Sequence, residues 1–242
     1  MTKLLAIETT EKRGSVAAAL DGNVLLHHEL PEGQRSAQSL VPTIQTALQQ
    51  LNWPIKSLDV IAVATGPGSF TGLRIGLATA RMLAYATGAK LFGINTLQSI
   101  VANVCIAQTG IEGQIITTAV DAQRGEVSAQ TFRLIPSQYF IRELYPEPVD
   151  ERRLLTFEAW WALANIDTKI CFAGPILQKF AVRKSENVQL LDKSQWQPCA
   201  AGVARLAWER LHTGKSDDLL TLQPYYSRPS AADEKKFLTP NS

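Results

Sequence analysis

Of 242 residues, 45% are apolar, enough to fill one large core or two smaller ones, so an ordinary folded protein is expected. Lysine and arginine number 24 against 22 acids, and a formal charge of +2 sets up no long-range field that would demand a nucleic-acid or membrane partner. Three cysteines, Cys105, Cys171 and Cys199, are odd in number and far apart, which excludes the paired framework of small secreted domains and favours a reduced, cytoplasmic chain.

The first apolar run ends at Glu8 and is too short for a secretion signal, and no later run reaches membrane-spanning length. Residues 4–7 lead through the polar turn Glu11-Lys12-Arg13-Gly14 into the run from Val16 to Leu20, which reads as a hairpin of two buried strands. Asp21-Gly22 is a two-residue hairpin signal, so "NVLLHHEL" becomes a third antiparallel strand. From Ser36, a plausible N-cap, Leu40, Val41, Ile44, Ala47, Leu48 and Leu51 fall at helical spacing, with Pro42 tolerable in the first turns. "LDVIAVAT", residues 58–65, suits a buried parallel strand. After the glycine loop that follows, residues 72–87 read as a helix ended by Gly88, "AKLFGIN" as a strand, and Thr96 as the cap of a helix running to about Gln108.

The second half restarts the pattern. "AIETTEKRGSV" at 6–16 and "AVDAQRGEVSA" at 119–129 share an acid, a turn ending in Arg-Gly, and a strand resuming near a valine, which suggests a duplicated lobe. A Trp-rich helix at "TFEAWWALAN", strands at "KICFAGP" and "NVQLLD", and a helix over 198–212 follow; the proline-bearing stretch between the hairpin and the Trp-rich helix reads as irregular or edge structure. The expected division is a first lobe over 1–108, a second over 109–225 whose last helix can pack back on the first, and a flexible tail over 226–242.

Chemistry centres on "GPGSFTGLRIG". A strand, a glycine turn and a helix N-terminus together can hold an anion. Yet Gly66-x-Gly68-x-x-x-Gly72 misses the dinucleotide spacing, Pro67 lacks an N–H, and no acid stands about twenty residues further on, so motif logic favours a structural turn. In the helix beyond it, Gly76, Ala80 and Ala84 form a small-residue stripe that either admits a partner helix or packs on the lobe's own sheet. Arg74 and Arg81 lie on the neighbouring stripe with Ala78 and Tyr85. His27, His28 and His212 show no metal-ligand spacing, and Ser69 lacks a nucleophile elbow, so no metal ligand or catalytic residue is assigned. Glu8 and Asp121 either face a cleft between lobes or cap turns.

"LLAIETTEKRGSVAAAL", "IAVATGPGSFTGLRIGLATARMLA", "AVDAQRGEVSAQTF" and "PYYSRPSAADEKK" resemble, in order and spacing, the bacterial TsaB family, accessory proteins of tRNA threonylcarbamoyladenosine synthesis. The resemblance implies an α/β fold of two duplicated ribonuclease H-like lobes, as in actin, sugar kinases and the heat-shock ATPase, each lobe a mixed sheet with helices on its faces. It implies a paralogous partner, TsaD, that binds metal and nucleotide and transfers the threonylcarbamoyl group to adenosine beside the anticodon. It further implies a third component, the P-loop ATPase TsaE, and tRNA reached through the complex. In TsaD the helix matching residues 36–51 carries an HxxxH pair, and this chain has no histidine there, so a non-catalytic activator that binds no cofactor of its own is expected, with ATP and magnesium held by its partners. Family likeness places helices 36–51 and 72–87 in a bundle shared with TsaD or a second copy. Leu40, Ile44, Leu48, Gly76, Ala80 and Ala84 are then the expected contacts, with Arg74 and Arg81 at the rim, and Gly76→Trp or Ala80→Trp should block assembly while leaving the lobe folded. Two departures stand out: Arg35-Ser36 where family members often carry His-Ser, and Glu8 in place of Asp. The alternative is an ATPase or small-molecule kinase of the same fold, with Glu8 and Asp121 on magnesium and Gly66 and Gly68 at a nucleotide cleft.

Overall fold

The computed structural model describes residues 1–33, 36–107, 110–140, 143–165, 170–180 and 188–228. Two mixed sheets lie side by side in it. The first contains β1 (Lys3–Glu8), β2 (Ser15–Leu20), β3 (Asn23–Glu29), β4 (Val60–Gly66) and β5 (Lys90–Asn95) in the order β3-β2-β1-β4-β5. The β1-β2-β3 part is an antiparallel meander, whereas β1, β4 and β5 run parallel. Asp21 and Gly22 both take positive φ, 48° and 83°, as a tight primed turn requires.

The second sheet repeats that plan. It comprises β6 (Ile115–Asp121), β7 (Glu126–Pro136), β8 (Leu144–Pro148), β10 (Ile170–Ala173) and β11 (Val188–Leu190), with the short β9 (Arg153–Thr156) pairing on β7. Its order, β11-β10-β6-β7-β8, is the first sheet's order read from the other edge, with β6 in the place of β1 and β10 and β11 parallel like β4 and β5. β8 holds Pro146 and Pro148 at the edge of the sheet, where a missing N–H costs no ladder bond.

The alternation of β1 explains how helices cover the first sheet. Leu5 and Ile7 face α1 (Ser36–Gln50) and α2 (Phe70–Thr87), while Leu4 and Ala6 face the last helix, α5 (Ala200–His212). α3 (Thr96–Ala107) follows β5 but sends Leu97, Ile100, Val101 and Val104 into the core of the second lobe, beside Trp160 of the short α4 (Phe157–Trp161). Each lobe therefore completes its core with a helix from the other half of the sequence. α3 and α5 cross where Gly202 meets the Ser99 carbonyl, and a Cβ there would lie 2.4 Å from that oxygen. Gly202→Ala should lower stability by about 2 kcal/mol, read as a shift in the urea midpoint.

Some local expectations need correction. Asn95, not Thr96, caps α3, since its Oδ1 accepts the Leu97 N–H at 3.0 Å and Thr96 is already helical. Val41 points outward instead of joining Leu40 on the buried face. The expected flexible tail from 226 starts too early, because the rings and charges of Tyr226 and Arg228 are anchored; residues 229–242, like Arg35 and Gln108, lie outside the described residues. No described helix is long and apolar enough to cross a membrane.

Candidate docking face and interlobe cleft

The glycine turn joins β4 to α2. Ser69 is the N-cap, its hydroxyl accepting the Gly72 N–H at 3.2 Å. Across this turn runs the chain's own segment Thr9-Thr10: the Ser69 N–H donates to the Thr10 carbonyl at 2.7 Å, and the Thr9 hydroxyl donates to the Gly72 carbonyl at 2.8 Å. A Cβ on Gly72 would lie 1.8 Å from the Thr9 carbonyl oxygen, one on Gly68 2.6 Å from that of Thr10, and one on Gly76 2.3 Å from the Thr9 hydroxyl. The glycines admit this neighbouring backbone, which packs directly against the turn. The turn is structural.

Glycine and alanine in α2 have the same explanation one turn further on. Gly76, Ala80 and Ala84 are buried against the lobe's own sheet, and Leu40, Ile44 and Leu48 of α1 close over them in one core cluster. These six residues are therefore not available as partner contacts in the folded chain, which corrects the reading of the stripe. Bulk at Gly76 or Ala80 would break the lobe before it broke any assembly. The outward face of α2 instead presents Arg74, Ala78, Met82 and Tyr85, the last two 73% and 83% exposed, and α1 adds Val41 on the side away from the sheet. Arg74 lies 3.9 Å over the Phe70 ring and donates to the Tyr226 hydroxyl at 3.2 Å. Arg81 donates to the carbonyls of Leu219 and Leu220 at 2.6 and 2.5 Å. Both arginines sit at the margin of that face, engaged with the end of the described chain.

Glu8 and Asp121 end equivalent strands, one in each lobe, and Glu11 lies between them electrically. Glu8 is fully buried, with Oε1 accepting the N–H and hydroxyl of Thr10 and Oε2 without a partner among the described residues. Burial pushes its pKa up to about 8 against the opposing pull of the Thr10 bonds, so the carboxyl is mostly protonated at neutral pH. Glu11 is raised to about 7, first by burial and then by the charge of Asp121. Asp121 pairs with Lys179 and accepts the Gln123 N–H at 3.0 Å, the turn-capping role open to it from the sequence. A magnesium ligand is an ionised carboxylate with a free oxygen facing the metal. A fully buried Glu8 bonded to Thr10 and a lysine-paired Asp121 do not fit that role, and Gly66 and Gly68 face Tyr225 and Thr10.

Sequence reasoning missed Glu11, Lys179 and the residues that hold the chain's end. Glu11 stood in plain view within the turn, but nothing in a turn's composition announces that it will be half-buried and face Asp121.

Comparisons with known proteins bear on both surfaces. A family model described as "TsaD: tRNA N6-adenosine threonylcarbamoyltransferase" matches residues 31–149. The tRNA threonylcarbamoyladenosine biosynthesis protein TsaB of Escherichia coli is 28% identical over 96% of this chain and 97% of its own length. The chain is thus similar to a TsaB protein over nearly its whole length. TsaB of Bacillus subtilis is 27% identical over about half of either protein, 51% and 52%. A Pseudomonas aeruginosa crystal structure, described as an uncharacterized protein with similarity to peptidase YEAZ, superposes with a TM-score of 0.74 at 25% identity, covering 94% of this chain and all of that one. The chain shares the two-lobed fold of that structure over nearly its whole length.

Proposed function

We propose that this chain works in tRNA threonylcarbamoyladenosine biosynthesis as a non-catalytic activator that docks on the transferase paralogue, TsaD, through the outer faces of α1 and α2. The observation that carries the reading is the similarity to E. coli TsaB over nearly the whole of both chains. The site supports it from the other side: Thr9-Thr10 packs directly against the glycine turn, and Glu8 is a fully buried acid bonded to Thr10, so neither is arranged for nucleotide chemistry. Exposed Met82, Tyr85 and Val41 beside the small Ala78 give a helix face on which a partner helix can lie closely. In the same reading ATP and magnesium belong to TsaD and to the P-loop ATPase TsaE, tRNA is met through the complex, and the free chain pairs with a second copy through the same face.

The test is reconstitution of tRNA threonylcarbamoylation from purified components with and without this chain. Met82→Asp and Tyr85→Asp together should weaken binding to TsaD at least about 100-fold and reduce modification accordingly, because charge replaces apolar surface at the centre of the face. Their exposure leaves the melting temperature within a few degrees of the parent. Unchanged binding by the double variant would refute the docking face, and full modification without the chain would refute the activator role.

A further inference from the structure

We infer that residues 217–228 form an interlobe latch: a strap that leaves the last helix, follows α2, crosses the glycine turn and fastens to the second lobe. The inference rests on contacts within this chain and is independent of the proposed function.

The strap has no helix and only an isolated bridge, between Leu91 and Asp217, yet it is held along its length. Asp217 opens it. Its N–H donates to the Leu91 carbonyl at 2.8 Å, and its carboxylate accepts the Gly93 N–H at 2.6 Å and both Arg210 nitrogens at 3.0 and 3.1 Å. Next, Arg81 of α2 holds the carbonyls of Leu219 and Leu220. Further on, the Tyr225 N–H donates to the Thr65 carbonyl at 2.7 Å, and Gly66, at φ 112°, lacks the Cβ that would stand 2.4 Å from the Tyr225 carbonyl oxygen. Tyr226 packs on Phe70, centroids 4.6 Å apart, and takes the Arg74 hydrogen bond.

Every contact so far belongs to the first lobe and α5. The remaining two cross over. The guanidinium of Arg152, beside the second sheet, lies 3.7 Å from the Tyr225 ring centroid, and Arg228 pairs with Glu126 at the start of β7. Tyr225 is thus bonded by its backbone to one lobe and by its ring to the other. Burial depresses the Arg152 pKa, as expected of a cation stripped of water against a ring, where cation–π attraction is strongest. Fixing a dozen residues without regular structure costs backbone entropy of about 1–2 kcal/mol each, so a segment of this kind stays ordered only through such side-chain anchors. The strap therefore makes a load path from α2, through Arg81, Arg74 and the Tyr225-Tyr226 pair, to the second lobe.

Hydrogen exchange on the full chain tests this, using Arg228→Glu, Glu126→Arg and the two together. Each single variant should speed exchange at least about tenfold both in the turn 65–69 and in the turn 123–126, and the double exchange of charge should restore protection in both. A chain ended after Leu222 should behave like the single variants. Should that truncated chain fail to fold, the charge-exchange set still decides. Singles that leave the turn 65–69 unchanged, or a double variant without recovery, would overturn the latch.

Discussion

Glu8→Gln should make the protein more stable at pH 8 by roughly 3–5 kcal/mol and remove the largest single slope from its pH–stability profile. In the folded chain the Glu8 pKa is raised from 4.5 to about 8, chiefly by burial. Below pH 4.5 both folded and unfolded forms hold the proton, and the group contributes nothing. Between 4.5 and about 8 the unfolded chain releases the proton and the folded chain keeps it, so stability falls with rising pH by about 1.4 kcal/mol per unit. Above that window both are ionised and the full penalty remains. Glutamine has the same shape and keeps the oxygen that Thr10 bonds; its amide nitrogen takes the place of Oε2, which has no partner among the described residues. The substitution thus removes the charge and little else. Urea midpoints at pH 4.5 and pH 8 read the effect directly: parallel profiles for parent and variant would show that Glu8 is not titrating inside the fold. Glu11 adds a slope of the same sign over a narrower window, from 4.5 to about pH 7, and this persists in the variant.

Gly72→Ala should abolish the native fold or cost at least about 4 kcal/mol, among the largest effects a single methyl can have. The added carbon would overlap the Thr9 carbonyl oxygen at 1.8 Å, and both partners are backbone, so no rotamer change relieves the clash. Thr9 follows directly on the buried strand β1, and α2 is pinned by the Ser69 cap, so neither side can retreat without unpacking the core. Gly88→Ala is the control. That glycine ends α2 at φ 75° with nothing within 4 Å, so alanine there should cost only the left-handed strain of about 1 kcal/mol. Comparable melting temperatures for the two variants would contradict the account of the glycine turn.

The fold was legible wherever a short-range signal had one meaning. Asp21-Gly22 fixed the hairpin of β2 and β3, the run 58–65 fixed a parallel strand, and the paired Arg-Gly turns revealed the duplication. Another echo, "ATGP" at 64–67 against "FAGP" at 172–175, marks the ends of the equivalent strands β4 and β10 and would have strengthened the repeat. The direction of the small-residue stripe was not legible. Gly76, Ala80 and Ala84 permit close approach by anything, and only the position of Thr9 shows that the approach comes from inside the lobe. Nor could periodicity find the strap, because a segment held by one guanidinium or ring at a time has no period. Glu8 gave a mixed signal: an acid closing an apolar run reads as facing a cleft or capping a turn, and nothing in the local sequence announces that it is fully buried.

The crossing of α3 and α5 has a consequence for how the chain is born. One face of the first sheet, with Leu4, Ala6, Val60, Ala62 and Phe92, is covered by a helix made long after its strands. At about 5–20 residues per second, that face stays open for on the order of ten seconds after β5 leaves the ribosome. The core of the first lobe therefore closes only when α5 has been made, although all five strands of its sheet precede it by more than a hundred residues.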